Sequence, residues 1–154
     1  MFSRADFEAL KDVRQPAWAF GVYRGLYSII YPQFAFDSAS SEETICISRA
    51  PKRLDDNGAA FWVAAELAAR RSGPVGQFPD DLSASRFEPI DERDFHRLVA
   101  EQTVGLVAPL EWPLRSPGRF VGALAMVTMA TDFVVPLFAE YEDEYVHFRW
   151  ETTA

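Results

Sequence analysis

The pattern of apolar and polar positions is most regular at the C-terminal end of the chain. Two β-rich arms, Phe133 to Tyr141 and Glu144 to Thr152, flank the polar pair Glu142-Asp143. Arms of this length around a short polar turn predict a hairpin. Pro136 lacks a backbone N–H, so it predicts an exposed edge or a bulge in the first arm.

The second arm of this hairpin alternates between two kinds of side chain. A period of two is typical of a strand whose two faces differ in environment, so one face is expected in the core and the other in water. The predicted core face carries Val146, Phe148 and Trp150, and the predicted wet face carries Tyr145, His147, Arg149 and Glu151.

Apolar residues at helical spacing predict three helices. Ser3 is a capping residue with Asp6 three positions on, a variant of the capping box, and it predicts where the first helix begins. Asp56 or Asn57 is the predicted cap of the second, and the acidic start of the third suits the helix dipole. The predicted helices span Ser3 to Val13, Asn57 to Arg71 and Asp91 to Gly105.

Four further segments complete the pattern. The aromatic stretch Ala17 to Asp37 and the short run Thr44 to Ser48 predict β structure. Residues Phe120 to Ala130 are apolar nearly all round, which suits a buried strand or a buried helix, and the β-branched residues favour the strand slightly. Residues Gly73 to Ile90 contain three prolines and predict a long connection that packs down as an Ω-like loop.

These elements predict an α+β fold. The 154 residues suit one domain, residues 1–154, and no repeat or change in composition divides them. With 49% apolar and 14% aromatic residues the chain can bury a sizeable core. The expected architecture is an antiparallel or mixed sheet packed against about three helices and ending in the C-terminal hairpin.

The formal charge of −8 is unevenly distributed along the chain. Residues 1–77 hold nine acidic and nine basic side chains, whereas residues 78–154 hold fourteen acidic and six basic ones. A negative field of this kind repels nucleic acid and anionic membranes and attracts a basic partner. Simple solubility explains the same charge equally well.

Motifs for catalysis, cofactor binding or metal binding are not found in the sequence. His96, His147 and the single cysteine, Cys46, have no spacing typical of a metal site, and both histidines are expected on the surface or in structural roles. Cys46 is expected to be buried. No glycine-rich phosphate loop and no nucleophile elbow is present. The sequence therefore predicts no enzyme activity, no cofactor and no bound metal.

Localisation follows from the N-terminus and the longest apolar run. Charged residues occur from Arg4 onward, with no apolar leader, and the run Phe120 to Ala130 is shorter than the about 20 residues that a membrane span requires. A cytoplasmic protein that binds neither nucleic acid nor membrane is expected.

The class that remains is an acidic protein-binding module, and its most concrete form is an immunity or antitoxin protein. Such an inhibitor covers the basic active-site cleft of a toxin with carboxylates. Tyrosines beside the carboxylates would anchor the contact. The predicted partner-binding residues are Glu140, Tyr141, Glu142, Asp143, Glu144 and Tyr145 at the hairpin tip, and Asp80 and Asp81 in the long connection.

An alternative function stays open on the same residues. The aromatic stretch Trp18 to Phe36 could line a pocket, which would favour a small enzyme or a small-molecule-binding domain. A deep cavity with converging polar groups would distinguish this alternative from an inhibitor with a flat surface.

Overall fold

The computed structural model describes residues 1–3, 5–6, 23–38, 42–70, 85–107, 110, 118–127 and 132–153. Within these ranges the chain forms an α+β fold with one six-stranded antiparallel sheet and two α-helices. The strands are β1 (Tyr27–Tyr31), β2 (Glu43–Pro51), β3 (Arg86–Ile90), β4 (Phe120–Val127), β5 (Val134–Tyr141) and β6 (Glu144–Thr152), and the helices are α1 (Ala59–Ala69) and α2 (Glu92–Gln102).

The order of the strands brings the two halves of the chain together. The sheet runs β1-β2-β6-β5-β4-β3, so β2 from the first half pairs with β6 from the second half. Their register extends from Glu43 opposite Thr152 to Pro51 opposite Glu144. We call the end of the sheet at Glu142 and Asp143 the hairpin pole, and the end at Glu43 and Thr152 the far pole.

Both faces of the sheet are covered, each by one helix. On one face Phe61 and Trp62 of α1 pack against Phe138 and Tyr145. On the other face Phe95 of α2 belongs to a second cluster, which includes side chains from β2, β4, β5 and β6. The prediction that β6 has one wet face is therefore wrong, because α1 covers the face that carries Tyr145, His147 and Arg149, and all three are buried.

Helix α1 is apolar on nearly every side, which suits a helix enclosed by other parts of the fold. Residues from Ala59 to Glu66 are buried apart from Ala60. Its N-terminal cap is Gly58 and not the predicted Asp56 or Asn57. These two side chains support the turn instead: Asp56 Oδ1 accepts the Gly58 N–H at 2.8 Å, and Asn57 Oδ1 accepts the Ala59 N–H at 3.0 Å.

Helix α2 begins where the acidic residues predicted its start, and the structure shows that Asp91 is its cap. Asp91 Oδ1 accepts the Asp94 N–H at 2.7 Å, and Glu92 and Asp94 lie in the first turn, where the dipole favours negative charge. The helix ends at Gln102, earlier than the predicted Gly105, and the Thr103 N–H donates to carbonyl groups of the last turn.

The predicted long connection contains a strand. Residues 71–84 lie outside the described ranges, but Arg86–Ile90 pairs antiparallel with β4 and ends the sheet on that side. Pro89 is tolerated because β3 is an edge strand, where a missing N–H costs least. The ambiguous segment that follows α2 also resolves as a strand, since Phe120–Val127 forms β4.

Pro136 does not mark a sheet edge. It is buried in β5, which lies between β6 and β4, and it is opposite Arg149 of β6. The ladder between β5 and β4 ends at Leu137, next to the proline. The missing donor therefore falls where pairing on that side stops, and this explains how a proline fits an inner strand.

Parts of the predicted helical and aromatic N-terminal region lie outside the described ranges, among them residues 7–22. Where the chain is described, the predicted contact at its start is present: Asp6 Oδ2 accepts the Ser3 N–H at 2.5 Å and the Ser3 hydroxyl at 3.1 Å. Strand β1 and a short 3₁₀ helix at Gln33–Ala35 follow within the aromatic stretch. No helix among the described residues is both long and apolar enough to cross a membrane.

Candidate functional site

An enclosed charge centre lies between α1 and β6. Glu66 is the one carboxylate on the apolar helix α1, and its side chain is fully buried. Its Oε1 lies 2.7 Å from His147 Nε2, and its Oε2 accepts a hydrogen bond from Arg149 Nη1 at 2.6 Å. Arg70, one helical turn on, donates to the same Oε2 at 3.4 Å.

The surroundings of Glu66 decide its ionisation. Burial alone would raise the pKa of this carboxyl, but the Arg149 charge, the His147 hydrogen bond and the Arg70 charge together lower the pKa to about 2. Arg149 is itself held by two carboxylates, since Glu66 and Glu151 keep the pKa of its guanidinium above the ordinary value in spite of burial. The centre is therefore an ionised carboxylate that is buried beside arginine cations.

The accessibility of this centre limits its chemistry. His147 and Glu66 are both 0% exposed, and the Trp62 ring lies 4.8 Å from the His147 ring at a steep angle. The cavity beside Arg149 and Cys46 has a volume of about 20 Å³, which is room for a single water. A general base must reach its substrate, so this geometry suits a structural pair that fixes α1 on the sheet.

Sequence reasoning missed this centre, although a signal was present. Glu66 is a lone carboxylate in the run Ala59–Ala69, which is otherwise entirely apolar. A charge in such a helix must meet a cation from a facing element, and the His147 and Arg149 pair on one side of β6 is such a partner.

Cys46 is buried, as predicted.

The predicted tip residues separate into buried and exposed sets. Glu140 is 5% exposed, Tyr141 1% and Tyr145 0%, so these three side chains belong to the interior and are not displayed at a surface. Only Glu142 and Asp143 are exposed, and Glu144 is intermediate. Asp80 and Asp81 lie outside the described residues. Partner binding at the tip stays a prediction, now limited to the accessible carboxylates.

Cations from other elements offset the charge at the hairpin pole. Lys52 Nζ donates to Glu140 Oε1 at 2.6 Å, and the Met1 amino group lies 3.6 Å from Glu140 Oε2. Arg49 forms a two-point ion pair with Glu144, in which its Nε lies 3.2 Å from Oε2. The three carboxylates at 140, 142 and 144 each have a cation within 4 Å, since Arg119 is 3.8 Å from Glu142.

Two tyrosines tie the loop before α1 to this pole. The Tyr23 hydroxyl donates to Asp56 Oδ2 at 2.6 Å, and the Tyr145 hydroxyl donates to the Asp56 carbonyl at 2.9 Å. Arg53 stacks 3.9 Å above the Tyr23 ring. Burial first, and then the Asp56 carboxylate, raise the pKa of both phenols, so both stay protonated and act as donors.

The far pole presents a different surface. Three large apolar side chains there are strongly exposed: Phe34 is 87%, Val104 83% and Val107 70% accessible. They lie on two loops that hydrogen bond to each other, with the Val107 N–H on the Ala35 carbonyl at 2.9 Å and the Asp37 N–H on the Gly105 carbonyl at 2.8 Å. We call Phe34, Val104 and Val107 the far-pole patch.

A cavity lies near the N-terminus of the chain. Its volume is about 290 Å³, close to the roughly 300 Å³ at which ligand pockets begin. Phe87 and Phe2 provide aromatic walls, and Ser85 and Arg86 provide polar groups. Its described lining is Phe2, Ser3, Ser85, Arg86, Phe87, Pro89 and Leu124, so no described residue of the stretch 23–36 contributes to it.

Metal ligation and relationship to known proteins complete the description of the site. Within the described ranges no three His, Cys, Asp or Glu side chains are grouped so that they could hold a metal ion. No protein-family model, no curated protein and no solved structure matches this chain. In the part of the chain that the structure describes, the fold is a three-layer α+β arrangement with a helix on each face of an antiparallel sheet.

Proposed function

We propose that this protein is an acidic protein-binding module without catalytic activity, and that it acts as an immunity or antitoxin-type inhibitor. It would cover a basic active-site cleft of a toxin partner. Electrostatic attraction of this kind accelerates association and selects basic partners over acidic ones.

The proposal is supported chiefly by the ion pairs that basic side chains form within the fold. Lys52 and Arg49 bind carboxylates at the hairpin pole, Arg149 binds Glu66 and Glu151, and Arg97 binds Asp94 and Glu101. The chain has eight more acidic than basic side chains. Because these cations are matched within the fold, the surplus negative charge remains for an external partner.

The test is the salt dependence of a complex with the protein that co-purifies from native cells. We expect this partner to be basic, its catalytic activity to be inhibited at a one-to-one ratio, and the association rate to fall at least about tenfold between low and high ionic strength. An association rate that does not depend on salt, or a partner whose activity is unchanged in the complex, would refute the inhibitor proposal.

The cavity supports a second candidate, a small-molecule-binding domain. We expect a fragment library screened by NMR to contain ligands that shift resonances of Phe87 and Leu124. Leu124→Trp should fill the space and abolish those shifts, whereas Val121→Trp, on the same strand but half exposed, should not. If no fragment shifts these resonances, the small-molecule function is excluded for this cavity.

A further inference from the structure

We infer that the far-pole patch is the anchor of the protein–protein contact, and that its partner is a basic protein surface with an apolar recess that receives Phe34. This inference rests on the proposed function and deepens it, because it names the surface and the chemistry of the partner. It also moves the contact from the hairpin tip, where the sequence pattern placed it, to the opposite end of the sheet.

The first step is the exposure of the patch. A single exposed apolar residue is ordinary, but here three that are at least 70% accessible lie on two loops that are hydrogen bonded to each other, so the same end of the sheet carries all three. Phe34 gains almost nothing from folding, since 87% of it remains in water. An aromatic side chain in this position is typical of the anchors that carry most of the binding energy in protein interfaces.

The second step is that the backbone beneath the patch is already ordered. The 3₁₀ helix Gln33–Ala35 carries Phe34, and a β-bridge joins Phe36 to Leu106. Phe36 itself is buried in the core that α2 covers, and Leu106 packs against the same core. The two loops are thus fastened to the fold on the side away from solvent, so binding need not order them.

The third step is the charge around the patch. Carboxylate oxygens of Asp37 and Glu43 lie only 3.5 and 3.7 Å from the place where a Cβ would stand on Gly105, between Val104 and Leu106. Glu42, the residue before Glu43, is exposed. An apolar centre with carboxylates at its rim matches a partner with an apolar recess surrounded by Lys and Arg.

The same charge argues against a second copy of this chain as the occupant. Two copies would bring the carboxylates at positions 37, 42 and 43 toward each other, and each copy carries a formal charge of −8. Like charges brought together at an interface are unfavourable. The hairpin pole is the weaker candidate because its carboxylates at 140, 142 and 144 are already offset by cations.

The experiment uses a photo-reactive phenylalanine analogue placed at position 34 or, as the matched control, at position 142 of the full chain in native cells. We expect irradiation to link position 34, and not position 142, to one basic protein, which is identified by mass spectrometry and purified. A link from position 142 alone, or a link between two copies through position 34, would overturn the inference.

Binding of the purified partner then tests the energetics. Phe34→Ala should raise the dissociation constant about 30-fold or more, which is the loss of affinity expected for a hot-spot aromatic. Asp37→Lys should mainly slow association. Glu142→Lys, with the same change of charge at the other pole, should alter affinity less than about threefold.

The outcomes separate the inference from the proposed function. If Glu142→Lys abolishes binding and Phe34→Ala does not, the interface lies at the hairpin tip: the inference fails and the binding function stands. If neither position links to any protein, the inference fails, and the salt dependence of the co-purifying complex decides the binding function. Circular dichroism and the urea midpoint of each variant show whether the loss of binding arises from unfolding. No unfolding is expected for Phe34→Ala, because Phe34 is so exposed.

Discussion

Replacing Glu66 with glutamine is expected to lower the free energy of unfolding by about 3–5 kcal/mol, the loss seen when one partner is removed from a buried ion pair. The amide retains the shape of the carboxylate but not its charge. Arg149, which is 5% exposed, would then be a cation in the interior with only Glu151 as its counter-charge. Urea unfolding followed by tryptophan fluorescence measures the change.

Two further variants test whether the loss of stability arises because Arg149 is left without its buried partner. Glu151→Gln removes the other partner of Arg149, but this carboxylate is 39% exposed, so the expected loss is below about 1 kcal/mol. The triple variant Glu66→Leu, His147→Phe and Arg149→Met removes the buried polar side chains of the centre and leaves Arg70 and Glu151, which both reach solvent, so it should recover most of the stability. A loss below about 1 kcal/mol for Glu66→Gln would show that the centre does not hold α1 on the sheet.

Because of Glu66, we expect the free energy of unfolding to fall in acid. Its pKa is lowered from 4.5 to about 2 in the folded protein, so the folded state holds the proton less tightly than the unfolded chain. The resulting stabilisation, on the order of 3 kcal/mol, is fully present above pH 4.5 and is lost as the pH falls toward 2. Unfolding free energies of Glu66→Gln should therefore fall less over this interval than those of the unaltered protein.

Local signals predicted most of the regular elements correctly. The start of α2 and the strands on either side of Glu142-Asp143 depend on neighbouring residues, and sequence patterns report neighbours well. The pattern of Phe120 to Ala130 left strand and helix open with a slight preference for the strand, which the structure shows as β4. The sequence pattern does not reveal the strand Arg86–Ile90, because Pro89 is typical of a connection, although an edge strand accepts proline.

The candidate site could not be predicted in the same way, because it depends on contacts between distant residues. His147 and Arg149 follow the alternation of a half-wet strand, and only the position of α1 reveals that the polar side is enclosed. Glu66 lies 81 residues before His147 in the chain. The lone carboxylate in α1 indicates that a cation must face it, but nothing in either segment indicates which cation that is.

The distribution of charge on the surface also depends on contacts between residues that are distant in the sequence. The sequence places all of the net charge in the second half, but β2 pairs with β6 and so distributes partners across the halves. Arg49 and Lys52 from the first half offset Glu144 and Glu140 from the second. A block of charge along the chain is therefore not a block of charge on the surface, and the pole richest in carboxylates by sequence is partly neutralised.

The second large effect is expected for Gly58→Ala, which should cost about 2–5 kcal/mol. Gly58 has a φ of +91°, a conformation that strains any residue with a Cβ. A Cβ added there would lie 2.7 Å from Phe138 Cζ and 3.3 Å from Tyr145 Cε1, so core rings would have to move as well. Gly105→Ala is the matched control, since its Cβ would meet only ordinary contacts of 3.4 Å or more and should cost under about 1 kcal/mol.

A double variant separates the two causes of this loss. Phe138→Leu shortens the side chain that the new methyl group would strike, and it leaves the backbone angle at Gly58 unchanged. If the clash contributes, the combined loss of Gly58→Ala and Phe138→Leu will be smaller than the sum of the single losses by about 1 kcal/mol or more. Strict additivity would exclude the clash with Phe138 and leave the backbone angle and the close contact with Tyr145 as the causes. Tyr23 and Tyr145 both donate hydrogen bonds to Asp56 in the loop before α1, and Asp56 also accepts the Gly58 N–H. We therefore expect a shift of Gly58 to move this loop and to change the surface of the hairpin pole.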